Sequence, residues 1–188
     1  TRLVLIESHL GDINIIDNTH TPENYVTVKD FISDLPSVNA GETDENDLLH
    51  RARALTPLNL KRIKATKEGG SWKDWPEILK LECHRKKSGK SYSSVYGRMK
   101  WTEPAPTMTT HCTGLGNGRF GHPEQVSAFT LREAALFQTF PQDYSFIDNT
   151  KPYNPSVISR QIGNAVPPQL GRVIALSIKE HLKKYKKI

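Results

Sequence analysis

The most reactive side chains in the sequence are two cysteines, each of which stands beside a histidine. Cys83 precedes His84, and His111 precedes Cys112. A cysteine thiolate can act as a nucleophile, or it can bind zinc together with histidine nitrogens. The two pairs lie far apart in the chain and neither has the short ligand spacing of a zinc site, so we predict no metal. Two cysteines also make no disulfide framework, which favours a reducing, intracellular setting.

A second group of residues suits contact with a polyanion. Between Cys83 and Lys100, tyrosines and glycines are interleaved with basic residues, namely Arg85, Lys86, Lys87, Lys90, Arg98 and Lys100. This composition is typical of a loop that follows a phosphate backbone, and the alternative is a solvated run of charge. The whole chain carries a net charge of +6 and has a pI of about 9.3, which favours a nucleic-acid partner without requiring one.

Composition limits the kind of protein that can carry these residues. Hydrophobic residues make up 36% of the 188, and the mean hydropathy is −0.55, so much of the chain must be surface, loop or interface. No run approaches the roughly 18 apolar residues that span a membrane. Nor is there a signal peptide with a basic start and an apolar centre. We therefore expect a cytoplasmic protein with no membrane partner.

The elements that would position these residues are short. Apolar, β-rich runs predict buried strands over 3–6 and 13–16, and glycine-rich turns predict further short strands within 101–128. Capping residues and apolar spacing predict helices over 28–35, 58–65, 76–81, 131–138 and from 167 onward. The first strand has few neighbours to pair with and opens the chain without a methionine. These features favour a fragment of a longer protein.

The stretch Arg160–Pro168 (RQIGNAVPP) carries the most specific pattern. Gly163 permits a close backbone approach, Asn164 offers an amide at a helix start, and the prolines suit the first helical positions. This string resembles motif X of the DNA cytosine-5 methyltransferases. Residues 131–141 (LREAALFQTFP) resemble motif IX of that family, except that Phe137 departs slightly from its pattern. Residues 1–6 look like the tail of motif VIII, and segments between 96 and 123 look like the end of the target recognition domain.

The resemblance implies an α+β fold: mostly the small DNA-recognition domain with short strands and helices. A terminal strand and a C-terminal helix would belong to a doubly wound α/β methyltransferase domain that is not present in full. Residues 1–16 would form the edge of that catalytic domain, 17–150 the recognition domain, and 155–188 the helix that returns to the catalytic domain. We also expect the isolated chain to self-associate through the apolar stripe of this last helix.

The resemblance assigns roles to individual residues. Gly163, Asn164 and Val166 match positions that line the S-adenosylmethionine pocket, and Arg2 matches an arginine that supports the active site. Thr109 matches a threonine that touches the DNA backbone beside the flipped nucleotide. The candidates for phosphate or base contacts in double-stranded DNA are Arg85, Lys86, Lys87, Lys90 and Arg98.

The family nucleophile is a cysteine that follows a proline, and its thiolate attacks C6 of cytosine. Cys83 follows Glu82, and Cys112 follows His111, so neither has this setting. We therefore predict that the chain belongs to a DNA (cytosine-5-)-methyltransferase but is inactive without an N-terminal catalytic portion or subunit. Two alternatives remain: a specificity subunit that acts in trans, and a non-enzymatic DNA-binding remnant.

Overall fold

The computed structural model describes residues 4–148 and 150–185, with the side chain of Lys90 excepted. Within these residues there are six α-helices: α1 (Val28–Ile32), α2 (Pro57–Ala65), α3 (Glu82–Arg85), α4 (Leu131–Phe137), α5 (Pro155–Asn164) and α6 (Pro168–Tyr185). Short 3-10 helices lie at Pro22–Asn24, Trp72–Asp74, Glu77–Leu79, Lys87–Ser91 and Leu115–Asn117. None of these helices combines the length and apolar character needed to cross a bilayer.

The predicted α+β fold class is wrong. The described residues contain no sheet, and their β-structure is confined to isolated bridges that pair Thr43 with Arg51, and Gly121 with both Arg98 and Ala128. Two short runs without neighbouring strands cannot form a stable sheet. The helical secondary structure predicted from capping residues is correct in most places, whereas the predicted strands over 13–16 and within 101–128 do not form. Leu3 lies outside the described residues, and residues 4–6 form no strand.

The chain divides into two compact units, one formed by residues 1–24 with 166–188 and the other by residues 25–165. In the first unit, the segment that was expected to form strands is held by helix α6 instead. The Ile16 N–H donates to the Ser177 hydroxyl at 3.0 Å. The Ser8 hydroxyl lies 2.7 Å from Nε2 of His181. This segment is therefore held to α6 by one backbone and one side-chain contact rather than by a β-ladder.

The second unit has its hydrophobic core around α4, which packs against α1 and α5. Ala134 and Ala135 are buried, and their small side chains let the neighbouring helices come close. Phe129 meets Phe120 and Phe137 in edge-to-face contacts, with ring centroids 5.2 and 5.7 Å apart. Such aromatic pairs contribute more than the burial of their area alone.

Capping residues account for where the helices of this unit begin. The Thr130 hydroxyl accepts the Glu133 N–H at 3.2 Å, and the Glu133 carboxylate accepts the Thr130 N–H, so the two residues form a capping box at the start of α4. Thr56 caps α2 in the same way, by accepting the Asn59 N–H at 3.3 Å. The prediction for residues 76–81 was too long, because only a single 3-10 turn forms there.

Helix α5 was not predicted, although its start signal is present in the sequence. The Asn154 side chain accepts the Ser156 N–H at 2.9 Å, and Pro155 occupies the first turn, where its missing N–H is no loss. Residues 160–164 therefore end a helix rather than open one. The following helix starts at Pro168, close to the predicted start at 167.

Two buried titratable groups face each other in the second unit. Nδ1 of His122 accepts the backbone N–H groups of Glu124 and Gln125 at 3.1 and 2.9 Å. Its Nε2 has no hydrogen-bond partner among the described residues and lies 3.7 Å from Oε1 of Glu133. Burial, with a smaller contribution from Arg98, lowers the pKa of His122 to about 3, so this histidine is neutral at physiological pH. Burial raises the pKa of the Glu133 carboxyl.

Replacing His122 with Asn should make the protein less sensitive to acid. The unfolded chain protonates this histidine near pH 6.5 and the folded chain only near 3, so the unfolded state binds one more proton between these values. Stability therefore falls as the pH decreases through this window, by up to ~1.4 kcal/mol per pH unit. Asparagine keeps an acceptor for the two N–H groups but does not titrate. Urea unfolding at several pH values should show a shallower slope for H122N.

The matched control is His9→Asn, because His9 is a histidine at an exposed position. This variant should keep the pH slope of the unsubstituted chain. Equal slopes for H122N and the unsubstituted chain would contradict the assigned burial of His122.

Candidate nucleic-acid interface

Aromatic side chains anchor the basic segment that includes α3 and the 3-10 helix after it. The His84 ring stacks on Trp72 with ring centroids 4.3 Å apart. The Trp72 indole N–H donates to the Tyr92 carbonyl at 2.9 Å. Trp72 thus holds the segment at its start and at its end, and the basic residues between these points stand on a fixed backbone.

Three of the predicted DNA-contacting residues are exposed on this segment. Arg85 donates to the Glu77 carbonyl at 2.9 Å, and Lys86 pairs with Glu82 at 3.3 Å. Lys87 is also exposed. Exposed ion pairs of this kind contribute little to stability, so these side chains can exchange a carboxylate for a phosphate at small cost. The side chain of Lys90 lies outside the described part of the chain.

Arg98 differs from the other basic residues because its side chain is only 5% exposed. Its Nε and guanidinium N–H groups donate to the carbonyls of Ile63, Thr66, His122 and Gln125 at distances between 2.6 and 3.2 Å. Burial lowers its pKa. The structure gives Arg98 a structural role within the second unit, and a contact between Arg98 and DNA stays a prediction.

Thr109 and Gly163, predicted to contact DNA and cofactor respectively, meet in the structure. A Cβ atom on Gly163 would lie 2.3 Å from the Thr109 carbonyl oxygen and 2.7 Å from the Thr110 backbone nitrogen. Only glycine permits this approach of the loop to the end of α5. The Thr109 side chain is exposed, whereas Gly163 is buried against the loop. Gly163 therefore packs against this loop, and its contact with a cofactor stays a prediction.

The other two predicted cofactor residues are open to contact. Asn164 is exposed as the last residue of α5, and Val166 is 61% exposed. A cofactor contact of Asn164 and of Val166 stays a prediction. Arg2, the predicted catalytic support, lies outside the described residues.

The two cysteines differ in their surroundings. Cys112 is fully buried with its Sγ 3.5 Å from the Ser159 hydroxyl, and burial raises the pKa of its thiol. A nucleophilic cysteine requires a lowered pKa, so these surroundings do not favour Cys112 as a nucleophile. Cys83 is exposed on the four-residue helix α3. No group of three or more His, Cys, Asp or Glu residues in the described ranges could hold a metal ion.

The structure also reveals a polar cavity of about 330 Å³ that the sequence analysis missed. Its lining includes Arg51 and Arg53, residues of the loop 110–117, Tyr153 and the start of α5. The sequence contained one signal for it, since Arg51 and Arg53 flank Ala52 in an Arg-Ala-Arg triplet. Alternation of this kind places two side chains on the same face of an extended segment.

The structure therefore combines an exposed basic segment anchored by Trp72 with a loop that packs against α5 at Gly163. The family model of the C-5 cytosine-specific DNA methylases matches residues 2–180. The chain therefore belongs to the family of C-5 cytosine-specific DNA methylases. Members of this family use S-adenosylmethionine as the methyl donor. The match covers nearly the whole chain under one description and does not separate a recognition domain from a catalytic one.

Individual relatives agree with this assignment. The chain is 56% identical over 181 residues to the type II methylase M.HgiDII of Herpetosiphon aurantiacus, covering 96% of this chain and 51% of that protein. It is 38% identical over 169 residues to the type II methyltransferase M1.BsuMI of Bacillus subtilis, covering 90% and 36%. It is 31% identical over 186 residues to DNA (cytosine-5)-methyltransferase 3 of Arabidopsis thaliana, covering 86% and 13%. The chain thus spans about half the length of the first relative and less of the others.

Replacing Arg98 with Lys should destabilise the chain by roughly 2–4 kcal/mol. An ammonium group has three donors and no planar fork, so it cannot reach all the carbonyls that the guanidinium serves, and buried acceptors lose their partners. Chemical denaturation measures the effect. Arg85→Lys is the matched control at an exposed position and should change stability by less than about 0.5 kcal/mol. Normal stability of R98K together with lost DNA affinity would instead make Arg98 a DNA-contacting residue.

Gly163→Ala should destabilise the chain by about 1–3 kcal/mol, because the added methyl group would press on the Thr109 backbone and force the loop or the helix to move. The matched control is Gly171→Ala in α6, where a Cβ would meet no atom within 4 Å. This second variant should stabilise the chain by up to about 1 kcal/mol, since alanine is the better helix former. Thermal unfolding measures the change in Tm of each variant. Similar Tm changes for G163A and G171A would contradict the crowding at Gly163.

Proposed function

We propose that this chain is the C-terminal part of a DNA cytosine-5 methyltransferase, which recognises a specific duplex sequence and completes the S-adenosylmethionine pocket. The observation that carries the proposal is the family match over residues 2–180 in a chain with no cysteine in the Pro-Cys setting of the nucleophile. The order of the motif-like strings, with the one at 131–141 before the one at 160–168, agrees with it.

This chain has no cysteine in the Pro-Cys setting, so another part of the enzyme must supply the nucleophile. In covalent catalysis a thiolate adds to C6 of cytosine, and C5 then becomes nucleophilic enough to take a methyl group. Cys112 is buried with a raised pKa, and Cys83 follows a glutamate. The nucleophile is supplied by an N-terminal catalytic portion or by a separate subunit, and this chain alone transfers no methyl group.

The cofactor role falls on the end of α5 and the residues that follow it. When bound, S-adenosylmethionine supplies the methyl group. The exposed amide of Asn164 can hydrogen-bond polar groups of the cofactor, and Val166 can cover an apolar part of it. Gly163 holds the end of α5 against the Thr109 backbone and so fixes where Asn164 stands.

The DNA role falls on residues 17–150, while residues 1–16 and 155–188 act with the catalytic domain. Arg85, Lys86 and Lys87 stand exposed on a segment that Trp72 fixes, which suits contacts to phosphates. Thr109 reaches the DNA backbone beside the target nucleotide. Cytosine leaves the base stack at a cost of a few kcal/mol before it reaches the nucleophile.

The test is a complementation assay. Transfer of a labelled methyl group from S-adenosylmethionine to duplex DNA is measured for this chain, for a polypeptide carrying the Pro-Cys motif, and for their mixture. We expect activity only in the mixture. If no such mixture methylates DNA while this chain binds one duplex sequence tightly, the chain is a DNA-binding module instead. Activity of the chain by itself would show that one of its own cysteines is the nucleophile.

Asn164→Ala should raise the KM for S-adenosylmethionine in the active mixture by about tenfold, the effect of one lost hydrogen bond worth about 1.4 kcal/mol. The affinity of the N164A variant for duplex DNA should stay unchanged. Asn46→Ala, at an exposed position outside the proposed pocket, serves as the control and should leave both quantities as they are. An unchanged KM for N164A would remove Asn164 from the cofactor pocket.

A further inference from the structure

The polar cavity lined by Arg51, Arg53, loop residues between 110 and 117, Tyr153 and the start of α5 has no assigned ligand. We call it the arginine cavity. Its volume of about 330 Å³ lies at the lower end of the range of small-ligand pockets. It lies entirely within the unit of residues 25–165. None of the residues predicted from the sequence to contact DNA or cofactor is among its lining residues.

The backbone places the two arginines side by side. Arg51 forms a β-bridge with Thr43, and Ala52 exchanges hydrogen bonds with Glu42 and Gly41 on the same partner segment, at 3.0 Å each. In an extended segment, successive side chains point to opposite faces. Ala52 is 0% exposed and faces the interior, so the two arginines share the opposite, exposed face, and both line the cavity.

Among the residues that the structure describes, no carboxylate neutralises the positive charge of this face. No aspartate or glutamate lines the cavity, and neither Arg51 nor Arg53 forms an ion pair within the described part of the chain. Asp47 is engaged elsewhere, because both of its carboxylate oxygens bond to the guanidinium of Arg132. Two adjacent guanidinium groups without counterions favour an anionic ligand.

Other lining residues supply hydrogen-bond donors, and two hydrogen bonds hold their segments in place. The hydroxyls of Thr113 and Ser156 stand among the lining residues. Asn117 braces the loop by donating to the His111 carbonyl at 3.3 Å. The Tyr153 hydroxyl donates to the Leu48 carbonyl at 2.8 Å, which fixes this wall of the cavity. Planar guanidinium forks with nearby hydroxyl donors match a phosphate group.

We propose that the arginine cavity binds a backbone phosphate of duplex DNA, with Arg51 and Arg53 as its principal ligands. This inference rests on the proposed function, since the family acts on DNA. Thr110 lines the cavity and directly follows Thr109, the proposed contact to the DNA backbone, so both lie on the same loop. The cavity thereby adds a phosphate contact on a surface separate from the basic segment that Trp72 anchors. Its role is positioning of the duplex, without base readout.

The first experiment measures duplex binding by the full chain at several salt concentrations. The double variant R51A/R53A should bind duplex DNA about tenfold more weakly than the unsubstituted chain. The slope of log K against log[salt] should become shallower by about 1, as expected for one lost phosphate contact. Both side chains are exposed, and the β-bridge of Arg51 with Thr43 is formed by the backbone, so the variant should fold normally, which its thermal unfolding verifies.

The control K29A removes an exposed positive charge on α1, away from the cavity, and should leave the slope unchanged. If R51A/R53A binds duplex with the same affinity and slope as the unsubstituted chain, the arginine cavity is not a DNA site, although the proposed function stands. If the unsubstituted chain shows no duplex binding at any salt concentration, the proposed DNA role and this inference both fail.

A second experiment separates DNA from a free anion. Amide resonances of residues 110–117 are followed while the chain is titrated with inorganic phosphate and, separately, with duplex DNA at equal ionic strength. Shifts of these amides by duplex, absent in R51A/R53A, support the proposal. Shifts by inorganic phosphate alone, with no response to duplex, would mark a site for a small free anion and overturn it.

Discussion

The second unit depends on one buried guanidinium. Arg98 connects the end of α2 at Ile63 and Thr66 to the turn that contains His122 and Gln125 through N–H donations to their carbonyls. A buried carbonyl without a donor costs about 1–3 kcal/mol, so this single side chain removes several such penalties at once. Arg119 acts similarly toward the carbonyls of Gly70 and Arg98 itself, at 2.9 and 3.1 Å.

Because these arginines donate to backbone carbonyls, the described part of the second unit can satisfy those carbonyls without a sheet. In a β-rich domain, backbone groups of a glycine- and proline-rich stretch are paired strand to strand. Here only isolated bridges occur in the described residues, and side-chain donors satisfy several of the remaining carbonyls. The positive charge of the sequence predicts a nucleic-acid partner, but part of this charge is buried inside the protein and bonds to its own carbonyls. Net charge alone overstates how much basic surface remains for a partner.

Local signals in the sequence predicted the helix starts well and the strands badly. At α1 and α4 the starting contact joins residues three apart, Thr27 with Asp30 and Thr130 with Glu133, and a sequence displays such a pair directly. A strand requires a partner elsewhere in the chain, and apolar spacing cannot show whether one exists. The missed helix α5 had a local signal too, Asn154-Pro155, but the resemblance drew attention to the Gly-Asn pair ten residues later as a helix start.

The same distinction between local and distant contacts governs the site. Sequence patterns located the basic segment and the Gly163-Asn164 pair, because both are contiguous. They could not show that Arg98 faces inward, since its acceptors lie up to 35 residues away. Nor could they show that Arg51 and Arg53 share a cavity wall with residues near 113 and 156, because that wall joins segments distant in the chain. A glycine such as Gly163 can resemble a ligand-binding residue of a motif. The immediate reason that glycine is required at this position is the close approach of the Thr109 backbone. Membership of a motif and direct contact with a ligand are therefore separate properties.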